Sequence, residues 1–183
     1  MAGSSTAEPR FYFDLASPGA WLVAERILPL MSVAVEWVPV EVGPGDVDRA
    51  DVEARAQELG LQAVRWPPQV PFDSRLALLA ATYAKQTGRT VAFAQAAFRQ
   101  AYAGGWDLTK EDVVLIAGSA CEMHPRATLK AVGTKLVGNA LDRATAEARD
   151  HGVQTTPAIW TGDKVFHGER ALEDAAAVLA EFA

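Results

Sequence analysis

Ser17 and the Pro18 that follows it are the residues from which chemistry is most readily argued. Ser17 closes the run Phe11-Tyr12-Phe13-Asp14-Leu15-Ala16 and precedes Pro18-Gly19-Ala20-Trp21-Leu22, where an apolar pattern of helical period begins. A serine at that point is a helix N-cap, its oxygen accepting from a first-turn amide, and a proline suits the first helical position, where its missing N–H is no loss. The hydroxyl then stands among exposed amides in a region that favours negative charge, which suits an anion or a thiolate. Serine nucleophile chemistry is not indicated: His124, His151 and His167 form no recognised triad pattern with it, and there is no Gly-x-Ser-x-Gly elbow. A second candidate is Thr156-Pro157, at the end of Gly152-Val153-Gln154-Thr155-Thr156-Pro157. Its plain reading is a trans proline starting an edge strand. Asp14 reads as an acceptor for turn amides or as an electrostatic neighbour of Ser17.

The elements that must position these residues follow from periodicity. Residues 10–14 predict a first strand, and Trp21, Ala24, Ile27 and Leu28 predict a helix running to residues 29–32. The β-branched and aromatic stretch 33–40 predicts a second strand. This βαβ unit crosses over right-handedly, so the sheet begins parallel. A helix is expected over 46–59, ended by Gly60, and the proline-rich 65–71 is an extended connector. Residues 73–139 are alanine-rich and helical in period, with helices expected at 74–87, 91–103 and 110–120 and a last one from Pro125 to Asp150, kinked near Gly133 or Gly138. Residues 157–160 and 164–166 flank Thr161-Gly162-Asp163 as an antiparallel hairpin, and 172–182 closes the chain as a helix.

Composition narrows the function classes. Half of the 183 residues are hydrophobic, enough for one sizeable core, and the net charge of −6 argues against a nucleic-acid surface. A single cysteine, Cys121, excludes an internal disulfide and any multi-cysteine metal or redox centre, so no metal is expected. Cys121 itself reads as an inert buried thiol near a helix end. Residues 1–9 are small and polar and read as a disordered tail without the apolar stretch of a signal peptide. No apolar run is long enough to span a bilayer, so no membrane partner and a cytoplasmic location are expected.

The strand and Ser-Pro helix together resemble the opening of the DsbA-like branch of the thioredoxin superfamily, whose redox members carry Cys-Pro-x-Cys where this chain has Ser17-Pro18-Gly19-Ala20. The serine form is similar to 2-hydroxychromene-2-carboxylate isomerases and kappa-class glutathione transferases. The resemblance extends from Phe11 to the C-terminus and implies an α/β, thioredoxin-like fold with an all-helical insertion: residues 10–42 and 151–183 as the thioredoxin-like domain, and 43–150 as the insertion. It further implies that Pro157 is cis, and that the Thr156 backbone N–H and C=O pair with the cysteinyl backbone of a thiol ligand. Ser17 would hydrogen-bond the thiolate and lower that thiol's pKa. Trp66 and Phe72, in Arg65-Trp66-Pro67 and Pro71-Phe72-Asp73-Ser74, would cover an apolar second substrate in a cleft facing Ser17, with Asp73 standing where the family carries asparagine. Taken alone, Asp73 is an N-cap, Trp66 a core aromatic and Ser17 a plain cap.

Two departures bear on the ligand. The segment in which the family presents an asparagine and a lysine to glutathione is shortened to Val42-Gly43-Pro44-Gly45-Asp46-Val47-Asp48. Gly168-Glu169-Arg170-Ala171 places Arg170 where an aspartate would hold the γ-glutamyl amine, and a cation there repels an ammonium group; Arg170 also reads as a solvated first-turn residue. The expectation is a thiol-dependent isomerase or transferase using glutathione or another low-molecular-weight thiol on a small-molecule substrate, with a homodimer left open. The rival is a catalytically silent module that binds a peptide or partner through the same groove. Dithiol exchange is not available without a cysteine pair.

Overall fold

The protein is described here by a computed structural model covering residues 8–180. The expected tail falls mostly on residues 1–7, outside that range; Pro9 is already buried, and its carbonyl accepts from the Glu36 amide at 2.8 Å. Strand β1 (Arg10–Phe13) lies at the centre of a four-stranded sheet of order β2-β1-β3-β4. It pairs in parallel with β2 (Glu36–Pro39), Phe11 opposite Trp37, and antiparallel with β3 (Ala158–Trp160), Phe11 opposite Ile159. Strand β4 (Val165–His167) completes the hairpin, with Thr161 N donating to Lys164 O across the turn. Pro39 is tolerated because β2 is an edge strand, where a missing donor breaks no ladder bond.

The first helix is shorter than its apolar period predicts. It divides into α1 (Pro18–Ala24) and α2 (Ile27–Leu30). Pro29 explains the break, since it has no N–H to give to the Glu25 carbonyl and its ring would collide with that group in a continuous helix. Between β2 and β3 come α3 (Arg49–Glu58), α4 (Arg75–Gln86), α5 (Thr90–Tyr102), α6 (Glu111–Ala120), α7 (Pro125–Val132) and α8 (Lys135–Asp150), and no strand among the described residues. α3 starts at Arg49, three residues later than expected, because Asp48 takes the cap by accepting from the Ala50 and Asp51 amides. The long helix expected from Pro125 is two helices, parted at Gly133 where Thr134 caps α8; Gly138 passes inside α8 undisturbed. Helix α9 (Ala171–Ala180) follows β4, and the expected end at Phe182 lies outside the described residues.

Alternation along β1 divides the core. Phe11 and Phe13 face the larger cluster, where Trp37, Trp21, Phe98 and Tyr102 meet the alanine faces of α4 and α5. Tyr12 faces the other way, with Val38, Val40, Ala148, Val153 and Ala158. The alanines bring helix backbones close to one another and leave the aromatic residues to fill the space between layers. Leu15, Ala16 and Ala20 are buried at the start of α1, so the Ser17 turn is anchored from below by packed apolar residues.

Candidate functional site

The start of α1, the loop after β2 and the turn before β3 converge at one end of the sheet around a cavity of about 210 Å³. Ser17 and Gly19 form one wall, Thr156 and Pro157 a second, and Asp46 to Asp48 with Glu169 the rim. Ser17 is the N-cap of α1, with extended φ and ψ of −98° and 108°. Its Oγ accepts from the Ala20 amide at 3.1 Å and donates to the Thr156 carbonyl at 2.9 Å. The side chain is only 1% exposed, so its single proton is committed inside the protein to the residue before Pro157. The Thr156-Pro157 bond is cis, as is Val70-Pro71. A Cβ on Gly19 would lie 3.1 Å from the Pro157 ring, so the close seating of α1 against this proline favours glycine at position 19.

Thr156 is fully engaged within the chain. Its amide donates to the Gly43 carbonyl at 2.9 Å, its Oγ1 donates to the same oxygen at 3.0 Å, and its own carbonyl is taken by Ser17. The backbone pair that the resemblance offers to a ligand is therefore occupied by the loop after β2. Gly43 is fixed from its other side by Asp14, whose Oδ2 accepts from the Gly43 amide at 3.0 Å. Asp14 Oδ1 accepts from the Ala16 amide at 2.9 Å and from Ser74 Oγ at 2.6 Å. Burial pushes the Asp14 carboxyl above its ordinary range, against the pull of these three donors. Asp14 is thus more than a turn acceptor: it joins β1, the loop and the start of α4. Tyr102 adds a bond from its hydroxyl to the Leu15 carbonyl at 3.1 Å.

Of the residues expected from sequence, Ser17, Thr156 and Pro157 come together at the cavity, while Asp73, Arg170, Trp66 and Phe72 lie outside its lining. Asp73 is exposed and accepts from the Arg75 amide at 3.0 Å. The N-cap position of α4 falls to Ser74, whose hydroxyl turns to Asp14 instead of the helix. Phe72 is a buried member of the core. Trp66 donates from its indole to Glu53 at 2.6 Å, lies under the Arg49 guanidinium and meets Tyr102 edge-on, outside the cavity lining. Arg170 is exposed, and its neighbour Glu169 faces the cavity. The cause is Gly168, which holds a φ of 80° and donates to the Pro157 carbonyl at 2.9 Å, setting the direction of the residues after it.

Sequence reasoning missed Ser74, Gly43 and Glu169. The rim is acidic: Asp46, Asp48, Asp51 and Glu169 border the cavity, and no lysine or arginine is among its described lining residues. Burial pushes the Glu169 carboxyl up, with Arg55 and Arg26 opposing. Cys121 is buried away from the cavity, its thiol bonded to the Gly118 carbonyl at 3.2 Å and pushed up in pKa by burial. Among the described residues no cluster of histidine, cysteine or acidic side chains could hold a metal ion, and no helix is long and apolar enough to cross a membrane.

The DSBA-like thioredoxin domain matches this chain over residues 10–180. No curated protein matches it by sequence. Among solved structures, 2-hydroxychromene-2-carboxylate isomerase superposes with a TM-score of 0.84 at 18% identity, covering 95% of each chain. A probable DsbA oxidoreductase from Streptomyces coelicolor gives 0.76 at 16% identity, over 95% of this chain and 88% of that one. A thioredoxin-like oxidoreductase from Silicibacter pomeroyi gives 0.62 at 19%, over 96% and 87%. At these identities the likeness is one of fold.

Proposed function

This chain belongs to the DSBA-like thioredoxin family, and from that membership we propose that it is a thiol-dependent isomerase or transferase of the 2-hydroxychromene-2-carboxylate isomerase type. The observation that carries the reading is the Ser17 hydroxyl on the cavity wall, 2.9 Å from the Thr156 carbonyl and next to cis-Pro157. That is the position to which the resemblance assigns the reactive cysteine of the redox members. With one cysteine in the chain, and that one buried elsewhere, the thiol must come from a cosubstrate, glutathione or another small thiol.

In the proposed reaction Ser17 exchanges the Thr156 carbonyl for the ligand sulfur and donates a hydrogen bond to the thiolate, favouring the ionised form. The thiolate adds to one carbon of a conjugated double bond while the π electrons move onto the carbonyl oxygen. The resulting single bond rotates, and the electrons on the oxygen return to re-form the double bond as the thiolate leaves. No electron is gained or lost overall; a transferase would stop after addition and protonation. The acidic rim selects among thiols: carboxylates on the ligand are repelled by Asp46, Asp48, Asp51 and Glu169, so a thiol with a neutral or cationic body is favoured over glutathione with its two carboxylates.

Calorimetry with glutathione and with the neutral thiol N-acetylcysteinamide tests binding, and turnover of a hydroxychromene carboxylate tests reaction. The expected result is binding of the neutral thiol in preference to glutathione, with a rate loss of about a hundredfold in Ser17→Ala, the scale of one removed charge-stabilising donor. No heat with either thiol, or a Ser17→Ala protein of undiminished rate, would defeat the reading and leave the silent binding module. One observation favours that second reading: the Ser17 hydroxyl is already bonded and buried.

A further inference from the structure

We infer that the loop 42–46 is a strap lying across the Thr156 recognition edge, and that Asp14 is the positioning residue that latches it. Both backbone polar groups of Gly43 are held, the amide by Asp14 Oδ2 and the carbonyl by Thr156 N and Oγ1. The division of labour on the carboxylate is sharp. Oδ1 serves the fixed frame, Ala16 N and Ser74 Oγ, while Oδ2 serves Gly43. Beyond Gly43 the strap makes one close approach to the body, at Gly45, where an added Cβ would stand 3.0 Å from Thr155 Cγ2. Gly45 and Asp46 are exposed, and Gly43 and Gly45 have φ of 86° and 70°, a region that favours glycine. Nothing lies within 4 Å of where a Cβ on Gly43 would stand, so the strap touches the body there through hydrogen bonds and not through packing.

Any ligand whose main chain pairs with Thr156 must first displace the Gly43 carbonyl. Apparent affinity is then the intrinsic affinity reduced by the fraction of molecules with the strap open. What the strap admits rests on the thiol reading above; the latch itself does not depend on it.

Two variants open the strap by different routes. Asp14→Asn keeps an oxygen for Ala16 and Ser74 but turns an amide NH2 towards the Gly43 N–H, setting donor against donor. Gly43→Ala leaves Asp14 intact and penalises the left-handed backbone in open space, with an opening of roughly fivefold or more expected from that penalty. Amide exchange followed by NMR, with N-acetylcysteinamide as the binding probe, reads the result. Faster exchange at Gly43 and Thr156 in both variants, with β1 amides unchanged and the probe binding tighter by the same factor, supports the strap. The same localised exchange with no probe binding in any form also supports the strap, and overturns the thiol reading instead. Exchange at Gly43 and Thr156 that stays in step with β1 in both variants overturns the strap, whatever the probe does.

Discussion

The two ends of strand β1 each carry a charge, and the fold treats them in opposite ways. Arg10, at its start, is about a quarter exposed, ion-paired with Glu36 at 2.9 Å and with Glu147 at 2.5 Å, its guanidinium 5.5 Å from the Trp160 ring. Asp14, just past its end, is 2% exposed and accepts from three segments of the chain. Both pairs of Arg10 keep partial access to solvent, which screens them, although its Nε is itself buried. The Ala16 and Ser74 donors are buried with Asp14, so their arrangement is specified by one carboxylate. The cavity lies at the end where a buried charge does the positioning.

Removing each charge is the most forceful way to break this contrast. Asp14→Ala strands the buried Ala16 amide and Ser74 hydroxyl and releases Gly43, and urea unfolding is expected to show a loss on the order of 2–3 kcal/mol, at roughly one kcal/mol or a little more per unsatisfied buried donor. Ser17→Ala, at the same end, loses a cap and a buried hydroxyl bond, and about 1–2 kcal/mol is expected by the same measurement. At the opposite end, Tyr12→Phe removes the bond to His151 Nδ1, 2.7 Å long, from a histidine stacked on Trp160 at 4.0 Å; about 1 kcal/mol is expected. Arg10→Ala should cost only about 1 kcal/mol, because its pairs are partly screened by solvent. Equal losses from Asp14→Ala and Arg10→Ala would erase the distinction between the ends.

How far each end could be read from sequence follows from the range of its interactions. Ser17 and Pro18 were legible because a cap is local: the bond to Ala20 spans three residues. The order of strands, the helical insertion and the hairpin were legible from period and turn chemistry. The cis state of Pro157 came only through the family resemblance, since nothing local demands it. Asp14 shows the limit. Its partners Gly43 and Ser74 lie 29 and 60 residues away, so a pattern read along the chain sees only the turn to Ala16. Asp73 and Ser74 are both cap-type residues, and only the approach of Asp14 turns the second towards the site. Arg170 and Glu169 differ by one step, and the bond from Gly168 to Pro157 chooses between them.

The smallest expected effect is a pH slope, and its sign differs between the ends. Burial raises the Asp14 carboxyl above its ordinary value of 3.8, with Ser74, Ala16 and Gly43 opposing. The native state then holds that proton more tightly than the unfolded chain, so the contribution of Asp14 is full below the ordinary value and is lost as pH rises through the native one. Glu36 behaves inversely. Burial alone would raise it, but Lys85 and Arg10 bring it below its ordinary 4.5, so its contribution is present above that value and is lost as pH falls through the native one. Unfolding free energies of the wild type minus Asp14→Asn, followed from about pH 2 to pH 7, should therefore fall with rising pH and then flatten. The wild type minus Glu36→Gln should rise over the acidic side of the same range and then flatten. Two slopes of one sign would mean that both carboxylates are governed by a common field, and the contrast between a screened end and a buried end would not stand.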